Sequence, residues 1–312
     1  MTRAVVIGEA LIDIVVRGDE QPREHVGGSP LNVAVGLARL GRPVDFLTFI
    51  GDDERGRRIA SVVSDAGASL VAGSMTADRT PTARAVLDAR GSAGYDFDIE
   101  WRCPDTVDLP PPLLAHTGSI ASVLDPGCLA VAALFETYRA SATLTFDPNV
   151  REALVDNADQ ARARIERMVA RCDVVKASDE DLRWFAPEFP PERIAAAWLA
   201  TGPSVVAVTR GERGAFAVCA AGTVDVAAPS VDVVDTVGAG DAFMAGLIDA
   251  LWSLDLVGAD RRRALAAIST AELRRALGAA AVSSALTVAR AGADLPDRAA
   301  RDAAAARWAI LG

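Results

Sequence analysis

Lysine is almost missing from this chain. Lys176 stands alone among 32 basic residues, the others being arginine. A P-loop needs Gly-Lys-Ser or Gly-Lys-Thr, and a protein kinase needs a strand lysine inside its own motif set. Neither context surrounds Lys176, so phosphate transfer by either design is not expected. Histidine is nearly as scarce. His25 and His116 have no triad or metal partner at recognisable spacing, so both read as structural. Cys103, Cys128, Cys172 and Cys219 are too far apart for CxxC chemistry or a metal pair, and reduced thiols in a cytoplasmic protein account for them. No basic cluster exceeds Arg261-Arg262-Arg263 and the net charge is −10, so nucleic acid is not an expected partner. The longest apolar run, Ala276 to Ala289, is too short to span a membrane, contains Ser283 and Ser284, and reads as a buried helix. The chain enters Ala4-Val5-Val6-Ile7 without the basic and apolar sections of a signal peptide. Dinucleotide fingerprints are absent as well. Gly8-Glu9-Ala10-Leu11-Ile12-Asp13 lacks GxGxxG, and Gly238-Ala239-Gly240-Asp241-Ala242-Phe243 lacks the third glycine, which disfavours an oxidoreductase.

What is present is an α/β rhythm. Apolar runs predict buried strands at Ala4–Ile7, Val44–Ile50, Leu113–Thr117, Ala142–Phe146, Asp173–Lys176 and Val205–Thr209. Helical patterns lie between them: one closed by Gly41, one from Gly51-Asp52-Asp53 to about Ala66 with both acids as caps, and others over Cys128–Arg139, Ala158–Arg171 and Pro191–Leu199. That alternation implies a mainly parallel sheet covered on both faces. Ala215–Cys219 and Val224–Ala227 add an antiparallel hairpin at its edge. Two stretches break the rhythm. Ile14-Val15-Val16 continues a strand before a polar turn from Gly18 to Glu24. Ala85–Asp88 and Tyr95–Glu100 flank Gly91-Ser92-Ala93-Gly94 as a β-hairpin, with Tyr95, Phe97 and Ile99 on one face and three acids on the other. A half-exposed hairpin in a βα chain suggests a separate small sheet, a flap over a site. With no repeat, linker or composition shift, 312 residues read as one domain with a flap.

The sharpest local feature is Asp235-Thr236-Val237-Gly238-Ala239-Gly240-Asp241-Ala242-Phe243. Val231, Val233 and Val234 predict a strand-like approach, and a helical pattern runs from Asp241 through Leu251. Small residues opening a helix leave backbone N–H groups unpaired at the positive end of its dipole, which makes an anion site. A carboxylate on that same first turn is redundant in a phosphate cradle but useful as a base beside a phosphoryl group. The stretch reads as phosphoryl transfer. Other polar residues sit where strands end and helices begin, where open α/β sheets bind ligands. They are Asp13, Asn32 after Gly27-Gly28-Ser29-Pro30-Leu31, the run Asp147-Pro148-Asn149-Val150-Arg151, and Thr209-Arg210-Gly211-Glu212-Arg213-Gly214.

These residues together resemble the PfkB (ribokinase-like) carbohydrate kinases. Gly27–Gly41 looks like the first family signature and Asp235–Phe243 the second, with Phe146–Arg151, Lys176–Leu182 and Thr209–Gly214 in the family's order. The resemblance implies a three-layer α/β/α fold over residues 1–312, with a small β lid from about 12–26 and 82–104. It implies that Asp241 is the catalytic base and that the N–H groups of Gly238, Ala239 and Gly240 form the anion hole. Asp13, Gly27, Gly28, Asn32, Asn149 and Arg151 would hold the sugar. Thr209, Gly211, Gly214 and Ser178 would lie against ATP, Asp181 would serve Mg²⁺, and Asp235 a K⁺ loop that includes residues around Gly292. The family's Asn-x-x-Glu motif appears here as Ser178-Asp179-Glu180-Asp181, a departure that shortens the acid. Gly8–Asp13 and Asp147–Arg151 look most like the fructokinase branch. A 2-keto-3-deoxygluconate kinase shares Asp-Pro-Asn-x-Arg and would want arginine for the substrate carboxylate, with Arg84, Arg102 and Arg151 as candidates. Ribose and nucleosides rank lower. A non-catalytic sugar-binding relative would be expected to have lost the base or the glycines, and both are intact. The alternating lid strands could pair with those of a second copy, and a monomer is equally compatible.

Overall fold

Two sheets divide the strands according to whether both faces or only one can be buried. The computed structural model describes residues 3–17, 21–87, 93–104 and 107–308. The chain runs through β1 (Ala4–Ile7), β2 (Leu11–Arg17), β3 (Arg23–Gly27), α1 (Ser29–Arg39), β4 (Val44–Leu47), α2 (Glu54–Asp65) and β5 (Ser69–Leu70). It continues with β6 (Thr82–Leu87), β7 (Ala93–Asp98), β8 (Leu114–Gly118), α3 (Gly127–Tyr138), β9 (Thr143–Asp147), α4 (Ala158–Arg171), β10 (Val174–Ser178), α5 (Asp179–Phe185) and α6 (Pro191–Leu199). Then come β11 (Val205–Thr209), β12 (Ala215–Cys219), β13 (Gly222–Val226), α7 (Ala239–Ser253), α8 (Arg262–Ala266), α9 (Thr270–Val288) and α10 (Arg298–Arg307).

The large sheet has the order β13-β12-β11-β10-β9-β8-β1-β4-β5. It is parallel from β5 to β11, and β12 and β13 are antiparallel additions at one edge. Strands buried on both faces need no alternation, which is why Ala4-Val5-Val6-Ile7 is apolar throughout. Val6, Val174 and Ala207 pack with Leu37 of α1, Met244 of α7 and Leu277 of α9. Val5, Phe146 and Val206 pack on the other face with Phe135 of α3, Ile165 of α4 and Trp198 of α6. The apolar stretch near residue 280 is the buried part of α9, which opens on a Ser269–Glu272 capping box.

The small sheet has the order β3-β2-β6-β7, with β2 and β6 parallel and the outer pairs antiparallel. On its outer strand Asp96 and Asp98 are exposed and Phe97 half-buried, as the alternation predicts. Gly91, Ser92 and the side chain of Tyr95 lie outside the described residues, as does the start of the turn expected from Gly18. The last two residues of that turn are a correction. Arg23 and Glu24 begin β3, and Glu24 is held by Arg55 and Arg58 of α2. Charged side chains on an edge strand masked it as a turn. Asp13 is likewise inside β2 rather than at an end of the main sheet.

Two further expectations change. Val231–Val234 form no strand: Val233 and Val234 are each 63% exposed, and the amides of Val234 and Asp235 both turn to the Val288 carbonyl. Asp53 alone caps α2, accepting from the Gly56 amide at 2.8 Å, whereas Asp52 is exposed and pairs with Arg57.

Candidate active site

The carboxyl ends of the parallel strands make one edge. Ile7 lies beside Thr117, Gly118 beside Asp147, and Ser178 beside Thr209. The start of α7 is where an anion site is expected. Gly238 is its left-handed N-cap at φ 77°, and a methyl group there would lie 2.7 Å from the Ala293 side chain, so both backbone and space require glycine. No side chain caps this helix. Among the described residues no acceptor meets the amides of Gly238, Gly240 or Asp241, whereas the Ala239 amide leans back to the Thr236 carbonyl at 3.3 Å. The open donors are therefore the two glycines and Asp241 itself, with Ala239 partly withdrawn.

Asp241 is buried at the same turn and held from α1. Ser29 Oγ donates to Oδ1 at 2.6 Å and Asn32 Nδ2 donates to Oδ2 at 2.8 Å. Asn32, expected at the sugar, thus has a first task on the carboxylate. Ser29 was not singled out by the sequence. A hydroxyl beside two glycines at a helix start looks like an ordinary cap, and only its direction in space separates the two roles. Asp235 accepts from the amides of Val237 at 3.1 Å and Gly292 at 2.9 Å, and these bonds hold its carboxyl below the usual range. The turn before α7 is thereby tied to the loop around Gly292.

Behind α7 lies a buried charged pair that sequence spacing did not single out. Lys176 Nζ donates to Asp147 Oδ2 at 2.8 Å, with side-chain exposures of 3% and 0%. Burial pulls the lysine pKa down, and the carboxylates of Asp147, Asp181 and Asp241 more than restore it. Burial pushes Asp147 up to about 6, with Lys176 opposing. His116 is buried next to them, 3.0 Å from Thr145 Oγ1, and burial with the Lys176 charge lowers it to about 3, so it is neutral and structural. The available signal was a lone charge inside Val174-Val175-Lys176-Ala177.

On the small-sheet side, Asp13 and Gly27 belong together. A methyl on Gly27 would lie 2.1 Å from Asp13 Oδ2, and one on Gly28, at φ 118°, would lie 2.6 Å from the Glu9 carbonyl. Burial raises the Asp13 pKa, with Arg151 and His25 opposing. His25 is opposite Asp13 across β2 and β3. Glu9 is fully buried, accepts from the Ala121 amide at 3.1 Å, and is pushed by burial up to about 7. Asn149, at φ 35°, accepts from Arg151 Nη1 at 2.8 Å.

Farther along the edge, Ser178 and Asp181 form a capping box on α5, and Asp181 Oδ1 also accepts from the Val150 amide at 2.7 Å. Both oxygens of Asp181 therefore already have donors. Thr209 is next to Ser178 by register. Gly214 could carry no side chain, since a methyl would lie 2.1 Å from the Val226 carbonyl; Gly211, at φ 57°, faces open space. Among the described residues no three acids, histidines or cysteines are grouped to hold a metal ion.

Residues 1–300 match the model of the pfkB family carbohydrate kinases. The chain is similar to a fructokinase of Rhizobium leguminosarum bv. trifolii, 36% identical over 255 residues and 78% of each chain. It is similar in fold to a fructokinase of Xylella fastidiosa with bound ATP, at a TM-score of 0.84 and 23% identity over 98% of this chain and 99% of the other. A fructokinase double mutant of Vibrio cholerae O395, solved with fructose, ADP and a potassium ion, aligns at a TM-score of 0.75 and 26% identity over 100% of this chain and 99% of that one.

Proposed function

Because the chain belongs to the pfkB family of carbohydrate kinases, we propose that it transfers the γ-phosphoryl group of ATP to a hydroxyl of fructose, giving fructose 6-phosphate. The observation that carries this reading is a buried carboxylate, Asp241, next to unpaired amides on one helical turn. The sugar hydroxyl oxygen bonds to the γ-phosphorus as the bond from that phosphorus to the β–γ bridging oxygen breaks. The hydroxyl proton passes to Asp241, and ADP leaves with the bridging electron pair. Ser29 and Asn32 each occupy one lone-pair position on the carboxylate, fixing its rotamer and leaving others for the hydroxyl. The amides of Gly238, Gly240 and Asp241 face the transferring charge with the helix dipole behind them. Mg²⁺ on the nucleotide would screen the phosphates, with Asp181 at most an outer partner.

Asp13, Gly27, Gly28, Asn32, Asn149 and Arg151 line the proposed sugar side, with the small sheet as its lid, and Ser178, Thr209, Gly211 and Gly214 the ATP side. A K⁺ ion would sit at the turn of Asp235 and the loop near Gly292. The Vibrio cholerae relative was solved with a potassium ion, which supports K⁺ as the kind of ion bound. The relatives' names favour fructose. The cysteines, none in a disulfide, fit a reducing cytoplasm. Lid-to-lid dimerisation is a compatible assembly.

ADP release measured with fructose, 2-keto-3-deoxygluconate, ribose and adenosine tests the reading. Fructose is expected to be turned over best; turnover of the keto-acid alone sinks the fructose assignment. Asp241→Asn is expected to lower turnover by about 10²–10⁴-fold with the fold retained. Near-wild-type turnover in that variant removes Asp241 as the base.

A further inference from the structure

The Lys176–Asp147 pair has no part in the chemistry just described, and its polar atoms are incompletely matched. Asp147 Oδ1 is buried without a partner. The ammonium has three donors, of which one meets Asp147 Oδ2 and no other acceptor is recorded among the described residues. A half-satisfied charged network in a native core calls for a reason. Gly240 points to one. Its φ is not in the left-handed region, so the backbone does not require glycine there. A methyl at that position would instead lie 2.9 Å from Lys176 Nζ, and beyond its chain neighbours and its own helix backbone no other described residue comes within 4 Å of it. Cα–Cβ bonds in a helix tilt toward the N-terminus, so this direction leads to the flank of the open first turn. The glycine leaves room for an ammonium.

We propose that Lys176 is the fixed positive charge of the anion hole, admitted by Gly240 and steadied by Asp147, and that it offsets the charge of the phosphoryl group crossing the first turn of α7. This rests on the phosphotransfer reading and deepens it. Asp147, Asp181 and Asp241 all act on Lys176. Without the ammonium, a phosphate would approach three carboxylates with only backbone dipoles and its own metal ion to favour it. Lys176 is almost fully buried and works from behind Gly240, so it is a positioning residue rather than a group in contact with the sugar.

Lys176→Met alone would strand a buried carboxylate, so the informative comparison is Asp147→Asn against Asp147→Asn combined with Lys176→Met. Adding the second change is expected to lower kcat by about 10²-fold. The sugar KM should stay within about threefold. Tripolyphosphate binding, measured by calorimetry without sugar, should weaken by about tenfold. Equal kcat and equal tripolyphosphate affinity in two folded variants overturn the proposal. If the double variant does not fold, Lys176→Arg and Lys176→Gln give the same contrast, and equal anion affinity in those two overturns it. A wild-type protein that phosphorylates no sugar defeats the proposed function, while the tripolyphosphate measurement still decides the role of Lys176.

Discussion

Glu9 shows how a single residue carries a cost that only the fold reveals. Burial pushes its carboxyl from 4.5 to about 7, against the donors of Ser119 and Ala121. An acid whose pKa is higher folded than unfolded holds a proton that unfolding releases. Stability therefore falls as pH rises through the window from 4.5 to about 7 and is level above it. At about 1.4 kcal/mol per pH unit, the loss is about 3 kcal/mol. Glu9→Gln keeps an acceptor for Ala121 and removes the slope. Its urea midpoint is expected to exceed that of wild type at pH 8 and to converge with it near pH 4.5. Equal midpoints at pH 8 would show that the wild-type carboxylate is ionised there without penalty. At this scale the sequence made Asp241 legible, because its glycines and helix are local. Ser29 was not, since its partner lies 212 positions away, and neither was Lys176, whose meaning depends on a glycine in another element.

At the scale of elements, α5 links two loops of the site. Asp181 caps the helix through Ser178 and holds Val150 in the turn after β9. Asp181→Ala is expected to cost about 1–2 kcal/mol in chemical unfolding, the size of a lost cap and backbone acceptor. The Mg²⁺ concentration giving half-maximal activity should barely move. A stability unchanged by the substitution, with a severalfold higher Mg²⁺ requirement, would assign Asp181 to the metal instead. Elements with strong periodicity were legible: β11 and β12 begin and end where apolar spacing places them, and α4 and α6 lie where it puts them approximately. Two short segments were not. β3 hides its strand character behind charges that answer α2. Val233 and Val234 before Asp235 have strand propensity but pair with no strand among the described residues, so they run exposed, and the Val234 amide turns to Val288. Propensity describes a residue's preference; pairing depends on what lies alongside.

At the scale of the molecule, Asp249 of α7 joins the C-terminal helix to the core. Fully buried, it accepts from Arg42 at 2.6 Å, from Arg298 at 2.7 Å and from Arg301. Asp249→Ala leaves these arginines, one of them buried, without that carboxylate and is expected to cost about 3–5 kcal/mol in chemical unfolding. A loss below about 1 kcal/mol would mean that the arginines find water or other acceptors. The layered sheet was legible because parallel strands buried on both faces announce themselves as apolar runs. The joining of α10 to α7 was not, since a single Asp among 42 acids carries no mark of its partners. The solitary Lys176 has a practical consequence at this scale. Apart from the chain's α-amine, the only amine that an amine-reactive ester can acylate is almost fully buried beside Asp147 in the large sheet. A second acyl adduct in the mass spectrum would therefore count molecules whose sheet had opened at that point. The protein carries its own clock for local unfolding.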